Sequence, residues 1–152
     1  MNRIQLALNV DDVEAAVAFY SKLFDAEPAK RRPGYANFAI SEPPLKLVLL
    51  ENPGQGGTLN HLGVEVADTD TVDAAQTRLA AAGLASVDER DSTCCYAKQD
   101  KFWVEGSPDG ERWEIYTVLE DSETFGVGDT SQVGCCGDEA SRAGSPTATA
   151  CC

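Results

Sequence analysis

The residues best equipped for chemistry are few. The chain has one histidine, His61, and six cysteines in three adjacent pairs: Cys94-Cys95, Cys135-Cys136 and Cys151-Cys152. A lone histidine is more often structural than functional, but this one sits inside a repeat. Aligning residues 4–10 with residues 60–66 places Leu6, Leu8 and Val10 on Leu62, Val64 and Val66. Both segments alternate with period two and read as strands. Gln5 and His61 then hold the same position of equivalent strands, on the face opposite the aligned apolar residues. A third polar group, Glu114, lies in the run Arg112-Trp113-Glu114-Ile115-Tyr116. An unpaired carboxylate there would be costly. A salt bridge to an arginine such as Arg112 would satisfy it, and so would a metal ion.

Gln5, His61 and Glu114 offer two oxygens and one imidazole nitrogen. That set is a variant of the facial triad that leaves coordination positions open on non-heme Fe(II). Ligand type also admits Zn, Mn, Ni or Co. The cysteine pairs call for a different ion. A disulfide between neighbours crosslinks nothing, whereas adjacent thiols suit a soft, thiophilic ligand. The bland alternative for Cys94-Cys95 is a pair of small apolar fillers on a strand, pointing to opposite faces. For both sulfurs to reach one atom the backbone must form a loop or bulge, and Ser92-Thr93 precede the pair.

The elements that must position these groups follow from the same repeat. After the first strand, Asp11 or Asp12 caps a helix, with capping-box spacing from Asp11 to Glu14. Its apolar stripe is Val13, Ala16, Val17, Tyr20 and Phe24. After the second strand, Thr69 or Asp70 caps a helix with the stripe Val72, Ala75, Leu79 and Ala82, ended by Gly83. Further strands are expected at 35–40 and 45–50 in the first half, separated by Pro43-Pro44. In the second half they are expected at 94–98, 101–105 and 112–118. The fold class is α+β: two tandem βαβββ modules, about 1–52 and 58–120, joined by the Gly-rich run 52–57. Residues 121–152 are rich in Gly, Ser, Thr, Ala and acids without apolar period, and read as a largely disordered tail on which Phe125 and Val127 still dock.

Net charge narrows the partners. At −13 over 152 residues, the chain lacks the basic face that nucleic acid or an anionic membrane needs. No targeting run and no stretch of transmembrane length is visible. A cytoplasmic protein with reduced thiols is expected, as a monomer or homodimer.

The paired modules, with Gln5 and His61 on first strands and Glu114 on the last, resemble the vicinal-oxygen-chelate superfamily of glyoxalases, bleomycin-resistance proteins and extradiol dioxygenases. Extradiol dioxygenases of that superfamily use two histidines and a glutamate at such places; here the first is Gln5. Glyoxalases use a fourth ligand from a late strand of the first half, where this chain reads Leu45-Lys46-Leu47-Val48-Leu49-Leu50 with no acid before Glu51. Within the superfamily, Asn60-His61-Leu62-Gly63-Val64-Glu65, Thr93-Cys94-Cys95-Tyr96-Ala97 and Glu111-Arg112-Trp113-Glu114-Ile115-Tyr116 resemble the ArsI carbon–arsenic lyase and CadI cadmium-induced protein group. So do the runs 31–40 and 43–49.

The resemblance implies an Fe(II)-dependent dioxygenase acting on a trivalent organoarsenical and O₂. It implies metal ligation by Gln5, His61 and Glu114 and substrate binding by Cys94 and Cys95, with Tyr96, Lys101 and Tyr116 around them. A monosubstituted As(III) has two exchangeable positions, which two thiolates would fill. The alternatives that the resemblance also carries are a cadmium- or arsenite-inducible soft-metal binder without catalysis, its tail thiols included, and another vicinal-oxygen-chelate enzyme such as an isomerase or a thiol transferase.

Overall fold

A computed structural model describes residues 2–126 of the chain. The expected alternation makes β1 (Arg3–Val10), with Gln5, Ala7 and Asn9 on one face and Leu6, Leu8 and Val10 on the other. Helix α1 (Val13–Phe24) follows, and its expected stripe packs on Leu6, Leu8, Phe38, Leu47 and Leu49. Its cap is Asp12, whose carboxylate accepts from the Ala15 amide. Asp11 instead accepts from the amides of Gly54 and Gly56 in the inter-module loop. A Cβ on Gly56 would lie 2.6 Å from that carboxylate, so the close approach requires glycine. Strands β2 (Lys30–Arg32), β3 (Tyr35–Ile40) and β4 (Leu45–Glu51) complete the first half.

The second half repeats the order: β5 (Leu59–Glu65), α2 (Thr69–Ala81), β6 (Ser86–Cys94), β7 (Ala97–Val104) and β8 (Trp113–Asp121). The cap of α2 is Asp68, one residue before the expected Thr69, because its carboxylate reaches both the amide and the hydroxyl of Thr71. Val72, Ala75 and Leu79 pack on Val66, Phe102 and Ile115, whereas Ala82 is exposed at the helix end. Two expectations needed correction. Residues 86–93, polar and without clear alternation, form most of β6, a strand with one neighbour among the described residues. Residues 94–98 are not a strand of their own: they are the end of β6, a turn, and the start of β7.

One eight-stranded mixed sheet results, in the order β2-β3-β4-β1-β5-β8-β7-β6. Its two halves mirror each other. The first strand of each module pairs in parallel with that module's last strand, β1 with β4 and β5 with β8. The two first strands, β1 and β5, meet antiparallel at the centre. Both helices cover the same face, the one bearing Leu6, Leu47, Val64 and Ile115. The opposite face carries Gln5, His61 and Glu114. Among the described residues no helix is long and apolar enough to cross a membrane. The tail cysteines, Val127 and the expected disorder of the tail beyond residue 126 lie outside the described residues.

Candidate metal centre

The central strands bring the three polar groups together. Gln5 pairs with Gly63 across β1 and β5, and Gly63 pairs with Glu114 across β5 and β8. His61 lies two residues before Gly63 on the same face. Fractional exposures are 4 % for Gln5, 1 % for His61 and 3 % for Glu114. Gln5 Nε2 lies 3.0 Å from His61 Nε2 and 2.8 Å from Glu114 Oε1, and the latter two atoms are 3.3 Å apart. Gly63 is the floor that permits this. A Cβ there would sit 3.2 Å from Gln5 Cβ, from Gln5 Nε2 and from Glu114 Cγ.

The triangle fits one small cation. Three cis donors about 2.1 Å from an octahedral ion stand about 3.0 Å apart. A cation takes the amide oxygen, so Gln5 would present Oε1 where Nε2 now stands; the two ends are nearly isosteric. Gln5, His61 and Glu114 are thus the residues that could hold a metal. Among the described residues there is no competing group of three His, Cys, Asp or Glu side chains.

The surroundings fix each donor. His61 Nδ1 lies 2.8 Å from Asn60 Oδ1, and Asn60 Nδ2 donates to Asn9 Oδ1, so a polar chain orients the ring. Trp103 meets the His61 ring edge to face at 5.5 Å. Burial alone would raise the Glu114 carboxyl. The Lys101 ammonium and the His61 ring outweigh it and hold the carboxyl well below the usual carboxylate range. Lys101 Nζ lies 3.1 Å from Glu114 Oε2 and 3.4 Å from Glu89 Oε2, at 0 % exposure. The charge of Glu114 is therefore met by Lys101, while Arg112, the partner considered from sequence, lies over the Trp103 ring at 4.3 Å. Tyr116 donates to Gln5 Oε1 at 2.5 Å.

Cys94 and Cys95 stand at the tip of the β6–β7 hairpin. Cys94 pairs with Ala97, and Cys95 and Tyr96 have φ of 54° and 59°. Two successive positive φ values mark a two-residue type I′ turn, which ordinarily carries Asn or Gly. The turn brings the two Sγ atoms to 3.4 Å, where a flat strand would have separated them. That distance is too long for an S–S bond between the two. Cys95 and Tyr96 pack on Ala7, Tyr35, Val48 and Leu50, with Phe125 beside them. Ala7 is the strand partner of His61 and of Val48, so Cys95 packs on the same sheet face that carries Gln5, His61 and Glu114.

Residues 3–115 match the Glyoxalase/Bleomycin resistance protein/Dioxygenase superfamily. The chain belongs to that superfamily. It is 71% identical over 128 residues to the cadmium-induced protein CadI of Mycobacterium tuberculosis, covering 84% of each chain. It is 54% identical to the trivalent organoarsenical cleaving enzyme of Thermomonospora curvata, covering 100% of both. A third relative, the trivalent organoarsenical cleaving enzyme of a Bacillus species, is 43% identical over 82% of this chain and 80% of its own. Among solved structures, the Mn(II)-bound glyoxalase of Novosphingobium aromaticivorans superposes with a TM-score of 0.54 at 20% identity. That match covers 80% of this chain and 42% of the glyoxalase. An extradiol ring-cleaving dioxygenase from B. fuscum gives 0.55 at 20% identity, over 80% and 34% of the two chains. These two likenesses concern the fold.

Placing the chain in this superfamily gives meaning to residues the sequence reading passed over. In the first module the site-facing position equivalent to Glu114 is Val48, opposite Ala7 as Glu114 is opposite Gly63. Gly63 was visible within the His-Leu-Gly run, but its steric role needs the neighbouring strands. Gln99 lies at 4 % exposure on the same face of β7 as Lys101, its Nε2 within 3.5 Å of the Cys94 carbonyl and its Oε1 without a hydrogen-bond partner. Nothing in its sequence setting marks it out. Glu65, anchored by Arg3 and facing Tyr116, escaped notice for the same reason.

Proposed function

We propose that the chain is an Fe(II)-dependent dioxygenase that cleaves the carbon–arsenic bond of trivalent organoarsenicals and releases arsenite. The observation that carries the reading is a three-donor triangle with edges of 2.8, 3.0 and 3.3 Å on the sheet face against which Cys95, one of two sulfurs 3.4 Å apart, packs. Full-length 54% identity to a protein named for that cleavage supports it.

Gln5, His61 and Glu114 would hold the ion, with Mn, Ni, Zn or Co as competitors for the same donors. Bound there, Fe(II) would supply the affinity for O₂ and its activation beside the substrate. The chain supplies the rest. Reduced Cys94 and Cys95 displace the two exchangeable ligands of the arsenical and fix the arsenic at the hairpin tip. The third substituent, the carbon to be cleaved, is left pointing over the same sheet face. Asn60 and Lys101 keep His61 and Glu114 aimed, and the buried walls exclude bulk water. For a methyl substrate the balance closes without an external reductant: methylarsonous acid and O₂ give formaldehyde and arsenous acid.

The test is arsenite released per mole of protein, loaded anaerobically with Fe(II), kept reduced, and exposed to O₂ with methyl or phenyl As(III). Multiple turnovers in the wild type are expected. Cys94→Ser and Cys95→Ser should release none while retaining Fe(II) affinity, since a hydroxyl is a poor donor to As(III). No release from fully loaded wild type with either substrate would overturn the reading. It would leave the second one, a soft-metal binder, which the 71% identity to a cadmium-induced protein favours. Stoichiometric Cd(II) uptake without turnover is its signature.

A further inference from the structure

Gln5 differs from the other two donors in one respect: its side chain has a wrong way round. An amide oxygen binds a cation and an amide NH₂ does not. Glu114 carries no such ambiguity, and the Asn60 contact fixes the His61 ring. In the arrangement described, Nε2 faces His61 and Glu114 while Oε1 accepts from the Tyr116 hydroxyl. A bound cation requires the reverse, and the NH₂ then faces Tyr116. A hydroxyl both donates and accepts, so Tyr116 can receive that NH₂ only if its own proton has somewhere else to go.

It does. Glu65 Oε2 stands 3.5 Å from the Tyr116 oxygen. A contraction of roughly 0.7 Å makes that an ordinary O–H···O bond. Glu65 is fixed as an acceptor: Arg3 Nε donates to it at 2.7 Å, Arg3 Nη2 at 3.3 Å, and Lys46 Nζ lies 3.8 Å away. Tyr116 is itself held, with its ring under the Lys46 ammonium at 5.1 Å and its strand position in register with Lys101.

We infer that Tyr116 and Glu65 are positioning residues that set the orientation of the Gln5 amide. Without a cation, Tyr116 donates to Gln5 Oε1. With one, the amide turns over, Gln5 Nε2 donates to the Tyr116 oxygen, and Tyr116 donates to Glu65. Only hydrogen bonds change; no proton leaves the tyrosine. The relay makes the amide oxygen available to the ion without leaving the NH₂ unpaired in a buried site. This rests on the reading of Gln5 as a metal ligand.

The test is Co(II) binding, followed by visible absorption and independent of turnover. Tyr116→Phe should bind Co(II) about 10- to 100-fold more weakly than wild type, the range for loss of a group that orients a ligand. Glu65→Leu, which removes the acceptor and is the variant to rely on should Tyr116→Phe fail to fold, should weaken binding several-fold by about the same logic. Gln5→Glu supplies the control, because a carboxylate offers oxygen whichever way it turns. In that background Tyr116→Phe should cost no more than about threefold, the worth of one hydrogen bond. Wild-type affinity in both Tyr116→Phe and Glu65→Leu, or an equal loss from Tyr116→Phe with Gln5 and with Glu at position 5, would overturn the inference. Failure of wild type to bind Co(II), Fe(II) or Mn(II) at all would instead overturn the metal reading beneath it.

Discussion

Val48 and Glu114 hold equivalent places in the two modules, yet one is an apolar side chain and the other a buried carboxylate. The contrast extends along the site face. The strand registers match Gln5 with His61, Ala7 with Gly63, Leu50 with Tyr116, and Tyr35 with Lys101. The second module supplies the buried charge pair of Glu114 and Lys101, with Glu89 beside it. The first supplies a wall of Ala7, Tyr35, Val48 and Leu50, against which Cys95, Tyr96 and Phe125 pack. On the outer face the two halves do the same work, each burying one helix stripe. Repetition thus built two like scaffolds, and the inner face was specialised by half. The second module supplies two of the three candidate donors, and the first supplies one donor and an apolar wall.

The sharpest way to break that comparison is to make the halves alike. Val48→Glu places a second carboxylate where no lysine corresponding to Lys101 stands, since that position is Tyr35. An uncompensated buried charge should cost about 3–5 kcal/mol in metal-free protein. Co(II) should recover part of the loss by taking the new carboxylate as a ligand. Metal-free melting unchanged from wild type would show that the wall around position 48 admits charge.

A smaller effect is expected from exchanging the floors. Gly63→Ala pushes a methyl against Gln5 and Glu114, at 3.2 Å from three of their atoms. Overpacking of this kind costs about 1–3 kcal/mol, and Co(II) affinity should fall about tenfold as the donors are displaced. The mirror change, Ala7→Gly, should cost only about 0.5–1 kcal/mol and leave affinity unaltered. Equal losses of affinity in the two variants would erase the distinction between the halves.

The smallest effect tests the outer-face symmetry. Asp12 and Asp68 cap the two helices in the same way. Asp12→Ala should cost about 1 kcal/mol. The Asp68 carboxyl is held below its ordinary value by the Thr71 hydroxyl and amide. A folded-state pKa depressed in this way adds stability that is present above about pH 4 and lost as pH falls through the folded value. Asp68→Ala should therefore melt lower than wild type at pH 7 and alongside it at pH 2. A melting difference that persists at pH 2 would mean that the cap does not act through its charge.

The sequence by itself determined the repeat, both helix stripes, the α+β class and the pairing of Gln5 with His61. These are local properties: periods of two and 3.6, and residue types at fixed offsets. It placed four of the first half's elements to within a residue or two, and it marked Glu114 because a carboxylate among Trp113, Ile115 and Tyr116 is conspicuous. Tertiary structure alone decided the rest. The caps moved to Asp12 and Asp68 because the choice between adjacent aspartates depends on which carboxylate reaches an amide. Strand β6 was illegible because a strand paired on one side needs no apolar alternation. Lys101, rather than Arg112, meets Glu114 because β7 lies beside β8, a neighbour relation that no spacing encodes. The proximity of the two sulfurs depends on positive φ at Cys95 and Tyr96, which neither residue type would announce. Gly63 matters only because Gln5 and Glu114, 109 residues apart in sequence, lie on either side of it. Local patterns are written in the chain; which side chains face one another across a sheet is fixed when the strands pair.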